Sequence, residues 1–249
     1  MRQIAFLCLA ALVQWTGAAR AADVSVAVAS NFTLPMRQIA LEFEKDTGHK
    51  AVLSFGSTGN FYAQIRNGAP FMLLLAADDE IPARLEKEGY AVASTRFTYA
   101  LGRLVLWSAK AGVVDERGEV LARGSFQHIA LANPKLAPYG AAAVETLAKL
   151  DLLERLRPRF VQGENIGQTF QFVATGNAPL GFVALSQVMA NGRITNGSAW
   201  VVPASLHAPI RQDAAILGPG KDSAAALAMA AYLRGDKARA INRGYGYEF

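Results

Sequence analysis

The sequence is poor in sulfur, in histidine and in charge. One of its 249 residues is a cysteine, Cys8. A lone thiol closes no disulfide within the chain and builds no thiolate metal site. The three histidines, His49, His128 and His207, are far apart in sequence, and no His-Glu-x-x-His pair exists, which excludes the familiar zinc spacings. Charged residues make up 18% of the chain against 52% hydrophobic, a balance that suits a packed globular protein and not a disordered one. No run of Lys or Arg alternates with aromatic residues, so a nucleic-acid surface has no support. No serine lies in a G-x-S-x-G elbow. Gly218-Pro219-Gly220-Lys221-Asp222-Ser223 resembles the end of a phosphate loop, but Ala215 replaces the first glycine and Asp222 replaces the Ser or Thr after the lysine. It reads as a turn that caps the last long helix. Asp78-Asp79-Glu80 reads as a solvated helix start, where acids complement the helix dipole.

The N-terminus carries the first positive signal. Arg2 is followed by an apolar stretch, Ile4 to Val13, and then by Ala19-Arg20-Ala21. This is the order of a secretory signal peptide cleaved after Ala21. The stretch is too short for a membrane span, which needs roughly 20 apolar residues. Leu7 before Cys8 does not fit a lipoprotein signal. Residues 1–21 hold two of the 25 basic residues and none of the 20 acidic ones, so their removal lowers the net charge from +5 to +3. Export without disulfides fits a bacterial periplasm.

After residue 21, short apolar strands alternate with helical periodicity. Val24–Ala29 is a strand, and Met36, Ile39, Ala40 and Phe43 then mark one helical face that Gly48 ends. Ala51–Phe55 is a strand, followed by the tight loop Gly56-Ser57-Thr58-Gly59 and a helix through Phe61 and Ile65. Phe71–Ala76 reads as a strand buried on both faces. Tyr99–Trp107 is a long extended stretch. The pattern then starts again, with strands at His128–Leu131, Phe160–Gln162, Leu180–Val183 and Trp200–Val202. Helices fall at Tyr139–Leu150 and around Ile166, Phe170, Val173 and Ala174. An apolar run, Ile210–Leu217, precedes a C-terminal helix marked by Ala225, Ala228, Met229 and Tyr232. The repeated βα order predicts an α/β fold with largely parallel sheets.

Four loops place hydroxyls and backbone N–H groups at helix starts. They are Ala29-Ser30-Asn31-Phe32, Gly56-Ser57-Thr58-Gly59-Asn60, Asn133-Pro134 through Tyr139-Gly140, and Gly163-Glu164-Asn165-Ile166-Gly167. Each alone is an ordinary N-cap. Together they fall two in each half of the chain, as a cleft between two lobes requires. Several helix N-termini converging at the C-terminal ends of strands make an anion site. None of the four contains arginine, and Lys135 is the one nearby base, which favours a small symmetric oxyanion over a ligand that needs a cationic clamp.

The segments VAVASNFT (26–33), SFGSTGNFYAQIRNGAP (54–70), ANPKLAPYG (132–140) and ENIGQTFQFVATGNAPLGFVALSQV (164–188) resemble the molybdate-binding component of bacterial ABC importers. The resemblance covers nearly all of the chain after the signal. It implies the type II periplasmic binding protein fold, two lobes with mostly parallel sheets and a ligand cleft between them. Residues 22–101 and 208–249 would form lobe I and residues 102–207 lobe II, with crossovers near 101 and 208. It implies molybdate or tungstate as ligand, held without a free metal ion, cofactor or charged side chain. Carried over by position, the ligand-binding residues are Ser30, Asn31, Ser57, Tyr139 and Ile166, the last through its backbone N–H. Where some members have a tyrosine after the GxV strand, this sequence has Ala184, so it resembles the branch with its tyrosine in the third loop. Met72 and Ala76 depart from the acidic residue and the serine usual near those positions. The implied partners are the importer's permease and, through it, the ATPase; the implied state is a periplasmic monomer with no catalytic activity. Other readings are a binding protein for another oxyanion such as sulfate, an exported hydrolase using Ser57, and a cytoplasmic sensing domain.

Overall fold

Val24, Val26 and Val28 alternate along the first strand with small residues, and the valines are buried together with Ala27 and Ala29. A strand covered on both faces must lie inside a sheet sandwiched by helices. The computed structural model describes residues 22–249 and bears this out; the signal-peptide expectation falls on residues outside those described. In chain order the elements of the first half are β1 (Asp23–Ala29), α1 (Thr33–Thr47), β2 (Lys50–Gly56), α2 (Thr58–Arg66), β3 (Leu73–Leu75), α3 (Glu80–Lys87), β4 (Phe97–Gly102), β5 (Leu104–Ser108), α4 (Val120–Arg123), β6 (Ile129–Ala132) and α5 (Pro138–Lys149). The second half contains α6 (Leu153–Leu156), β7 (Phe160–Gly163), α7 (Ile166–Ala174), β8 (Leu180–Ala184), α8 (Leu185–Val188), the short hairpin β9 (Met189–Ala190) and β10 (Arg193–Ile194), β11 (Ser198–Val201), β12 (Ile210–Ile216), α9 (Ala224–Arg234) and α10 (Asp236–Gly244).

Two five-stranded sheets organise two lobes, in the orders β2-β1-β3-β12-β4 and β11-β5-β8-β6-β7. The expected parallel character holds in strand direction but not in every pairing. In the first sheet β12 runs against both of its neighbours. In the second, β5 runs against both of its own. The other four strands of each sheet share one direction. The reversed strands β5 and β12 are those that enter a sheet from the other lobe, so topology fixes their direction.

The chain departs from two sequence expectations. The stretch Tyr99–Trp107 is two strands, broken at Arg103, because the chain leaves the first sheet at Gly102 and enters the second at Leu104. The strand expected over Phe71–Ala76 forms a ladder with β1 only at Leu73–Leu75. Its flanks find other partners: the Met72 amide donates to the Ser25 carbonyl and the Ala76 amide to the Asp213 carbonyl, each at 2.9 Å. The departures at Met72 and Ala76 therefore leave no strand-edge group unpaired. Helix α10 escaped the periodicity because its apolar face is thin; Ala238 and Asn242 are its buried residues. The Gly218–Ser223 turn does cap a helix: Ser223 Oγ accepts from the Ala226 amide at 3.3 Å at the start of α9.

Each sheet is buried on both faces. In the first lobe Val24, Val26 and Val28 pack with Phe32, Met36, Ile39 and Phe43, while Ala27 and Leu74 face Phe61, Ile65 and Leu85. In the second, Leu104 and Leu106 pack with Leu131, Leu147 and Phe182, while Val105 and Trp107 face Val173 and Val183. Gly140 lets the first turn of α5 lie directly on the end of β6, since a Cβ there would meet the Ala132 carbonyl. Gly140→Ala should therefore push the start of α5 off the sheet and cost about 1–3 kcal/mol, the usual range for overpacking. Urea denaturation checks this, and an unchanged unfolding midpoint would contradict the packing account.

Candidate functional site

Four chain turns at strand ends converge between the two sheets. The first follows β1, where Ser30–Phe32 form a single 3₁₀ turn that leads into α1. The second is the start of α2, capped by Ser57, whose Oγ accepts from the Asn60 amide at 3.4 Å. The third is the start of α5, where Pro138 occupies the first turn. The fourth is the start of α7, capped by Asn165, whose Oδ1 accepts from the Gln168 amide at 3.0 Å. The first N–H groups of a helix have no partner within it. Because Pro138 has no N–H, the first such group of α5 belongs to Tyr139.

All five residues inferred from sequence come together. Ser30, Asn31, Ser57, Tyr139 and Ile166 line one cavity of about 10 Å³, with Ala29, Gly56, Thr58, Ala77, Ala137 and Pro138 completing the wall. That is about the space one water molecule needs, so a larger ligand enters only as the wall moves outward. No residue of the wall carries a charge. Sequence reasoning gave no role to Thr58, although it lies in the second loop; its Oγ1 is occupied by the Ala77 amide at 2.9 Å.

The lobes meet around this cavity. The Gly59 amide donates to the Leu136 carbonyl at 3.0 Å, and a Cβ on Gly59 would crowd Leu136. Gly167 lies against the Ser30 side chain in the same way, with a Cβ 3.2 Å from the serine Cβ. Glycine at these two positions lets helix starts from opposite lobes approach one centre. The Ser186 hydroxyl donates to the Asn31 carbonyl at 2.7 Å, another bond between the lobes.

The donors differ in what they have left to give. Ser57 Oγ accepts a bond from Asn60, and its own proton has no acceptor among the described residues. Ser30 Oγ donates to the Gly56 carbonyl at 2.9 Å. Asn31 makes no cap bond. Both protons of its side-chain nitrogen are committed, to Gln212 Oε1 and to the Tyr247 oxygen, each at 2.8 Å. Its Oδ1 is buried without a hydrogen-bond partner among the described residues. Asn31 is thus a buried strut, and what it can offer the cavity is its backbone N–H. Burial holds the Tyr139 phenol well above its ordinary pKa, so it stays protonated and can donate.

Sequence reasoning missed the polar residues behind the cavity. Gln212 and Asp213 are buried within the apolar strand β12. Asp213 is paired with Arg96 and with the Thr98 hydroxyl, both at 2.7 Å. Two adjacent polar residues inside an apolar run were the available signal. A larger groove of about 320 Å³ shares Ala77, Ala137 and Pro138 with the small cavity. Asp78, Asp79, Glu80 and Glu145 line it together with Lys135 and Arg211, so acids outnumber bases and an anion gains less there.

Two α/β lobes, crossed twice by the chain and closed over a small cavity lined by donors, define a solute-binding protein. The model of the bacterial extracellular solute-binding protein family matches residues 24–248. The chain belongs to that family and, within it, to the ModA group. The molybdate-binding protein ModA of Azotobacter vinelandii is 61% identical over 230 residues, which are 92% of this chain and 91% of the relative. ModA of Rhodobacter capsulatus is 48% identical over 229 residues, 92% of this chain and 89% of the relative. The solved structure of an Azotobacter vinelandii periplasmic molybdate-binding protein superposes with a TM-score of 0.88 at 43% identity, covering 91% of this chain and 99% of that one.

At the cavity's edge, Asp78 is more than the solvated helix start expected from sequence. Its Oδ1 accepts from the Ile81 amide at 2.8 Å, in the first turn of α3. Partial burial, with smaller contributions from Glu80, Asp79 and Asp213, pushes its pKa up to about 6 from 3.8. A carboxyl that holds its proton more tightly when folded stabilises the fold below its unfolded pKa and loses that contribution as pH rises through the folded one. Asp78→Asn should therefore melt higher than the parent protein at pH 7.5, with the gain fading between about pH 6 and pH 4. Thermal melts across that range check this; a difference independent of pH would contradict it.

Proposed function

We propose that this chain captures molybdate or tungstate outside the cytoplasm and delivers it to an ABC importer. The observation that carries the reading is a closed, uncharged cavity to which both lobes contribute donors. A buried dianion loses a large hydration energy, and only complete hydrogen bonding offsets that loss. The Ser57 and Tyr139 hydroxyls, the backbone N–H groups of Asn31, Tyr139 and Ile166, and a Ser30 hydroxyl turned from Gly56 toward the anion would surround its four oxygens. Helix starts add partial positive charge without a counter-ion. A wall rich in donors and without a carboxylate offers a protonated ligand no strong acceptor, which disfavours hydrogen phosphate. Sulfate, fully deprotonated and smaller than molybdate, would have to be rejected because it leaves donors too far from its oxygens in the closed site.

The two lobes are residues 22–101 with 208–249, and residues 102–207. The anion favours the closed form, because only closure brings every donor to it. The closed form is then what the permease recognises, and through it the ATPase. The protein works as a periplasmic monomer that returns its ligand unchanged, without catalysis. The ModA relatives, named for molybdate binding, support this reading.

Calorimetric titration of residues 22–249, unfolded and refolded to remove bound ligand, tests it. Molybdate and tungstate should bind one to one, and sulfate and phosphate should not; tight sulfate binding would overturn the ligand. Ser57→Ala should weaken molybdate binding by about 1–3 kcal/mol, the cost of leaving a buried acceptor without its donor. Unchanged affinity would remove Ser57 from the site.

A further inference from the structure

Tyr139 has one hydroxyl proton, and the bonds around it decide where that proton points. Gln212, fully buried in β12, donates its Nε2 to the Tyr139 oxygen at 3.0 Å. The other end of the same amide faces Asn31 and Tyr99. Gln212 Oε1 accepts from Asn31 Nδ2 at 2.8 Å and lies 3.0 Å from the Tyr99 hydroxyl, whose single proton is shared with the Ala76 carbonyl at 2.9 Å. Asn31 Nδ2 also donates to the Tyr247 oxygen at 2.8 Å. The Tyr247 proton is directed to the Asn31 carbonyl at 3.1 Å or to Ser186 Oγ at 3.0 Å.

An amide donates only from nitrogen and accepts only at oxygen. In the arrangement the structure shows, Asn31 to Gln212 to Tyr139 runs in one sense and ends with the tyrosine oxygen as an acceptor. A phenol that accepts from behind must send its proton elsewhere, and the cavity it lines is where an anion would sit. Tyr247, close enough to influence Tyr139, offers a neutral oxygen. A charged oxyanion is the stronger acceptor. Gly102, the last residue of β4, makes room for the arrangement: a Cβ there would fall on both the Tyr139 hydroxyl and the Gln212 nitrogen.

We propose that Gln212 is a positioning residue for anion capture, one that holds the Tyr139 oxygen as an acceptor so that the phenol proton is presented to the ligand. The proposal rests on the oxyanion reading and assigns its polarity to a residue that does not touch the anion. It also joins the first sheet, through β12, to a donor carried by the second lobe.

A double-mutant cycle tests it, with molybdate affinity measured by calorimetry on the parent protein, Tyr139→Phe, Gln212→Met and the double variant. Each single change should weaken binding about 10-fold, the scale of one buried hydrogen bond to a charged group. The double variant should bind no more weakly than Tyr139→Phe alone, because Gln212 acts only through that hydroxyl. Parent-like affinity in Gln212→Met, or losses that multiply to about 100-fold, would overturn the relay while leaving the oxyanion reading in place. A parent protein that does not bind molybdate would overturn both. If Gln212→Met does not fold, the parent protein decides the matter by NMR with tyrosine labelled at the ring carbon that bears the hydroxyl. The resonance missing from Tyr139→Phe should shift when molybdate is added, as the phenol gains an anionic acceptor; a stationary resonance would overturn the proposal.

Discussion

A doubly charged anion taken out of water must have nearly all of its oxygen lone pairs met by donors, because each one left bare costs as much as several good contacts return. Most of what is distinctive in this structure follows from meeting that demand without a cation. Arginine or lysine would supply charge, but it would also bind other anions and would itself need desolvation. Backbone N–H groups at helix starts supply donors that are already oriented and already missing a partner. Two sheets with their strand ends facing each other are a direct way to bring several such starts to one point.

The fold is arranged to make that approach close. Glycine at 59 and 167 removes the side chains that would hold the lobes apart, and glycine at 140 seats α5 against its strand. The backbone bond from Gly59 to Leu136 and the bond from Ser186 to Asn31 form where the lobes meet. The cavity that remains is small and neutral, while the charged residues nearby face the adjoining groove. Charge is thus kept beside the site and out of its wall. Behind the wall, Asn31, Gln212, Tyr99, Tyr247 and Ser186 form a buried hydrogen-bonded network that joins the first sheet to the second lobe.

Much of this was legible in the sequence because it depends on local chemistry. The β1 valines, the α1 face of Met36, Ile39 and Phe43, and the loop around Ser57 each announce themselves within a few residues. The convergence of Ser30, Ser57, Tyr139 and Ile166 was inferred from the resemblance, and the structure places them on one wall. What could not be read depends on partners distant in the chain. The reversal of β5 and β12 is set by where the chain crosses between sheets, so hydrophobic pattern alone reads them as ordinary strands. The commitment of the Asn31 side chain to Gln212 and Tyr247 joins positions 181 and 216 residues apart, and no local motif encodes it. Helix α10 was missed because its buried face is narrow.

The central claim is that the small neutral cavity, and not the larger groove beside it, holds the anion through hydrogen bonds alone. A crystal structure of residues 22–249 with molybdate, with the metal located by anomalous scattering at the molybdenum edge, tests this most directly. The account predicts a single molybdenum centre enclosed by Ser30, Asn31, Ser57, Tyr139 and Ile166, its oxygens within hydrogen-bond distance of their donors and no cation beside it. A molybdenum centre in the groove near Asp78 and Lys135, or one held by a charged side chain, would contradict it.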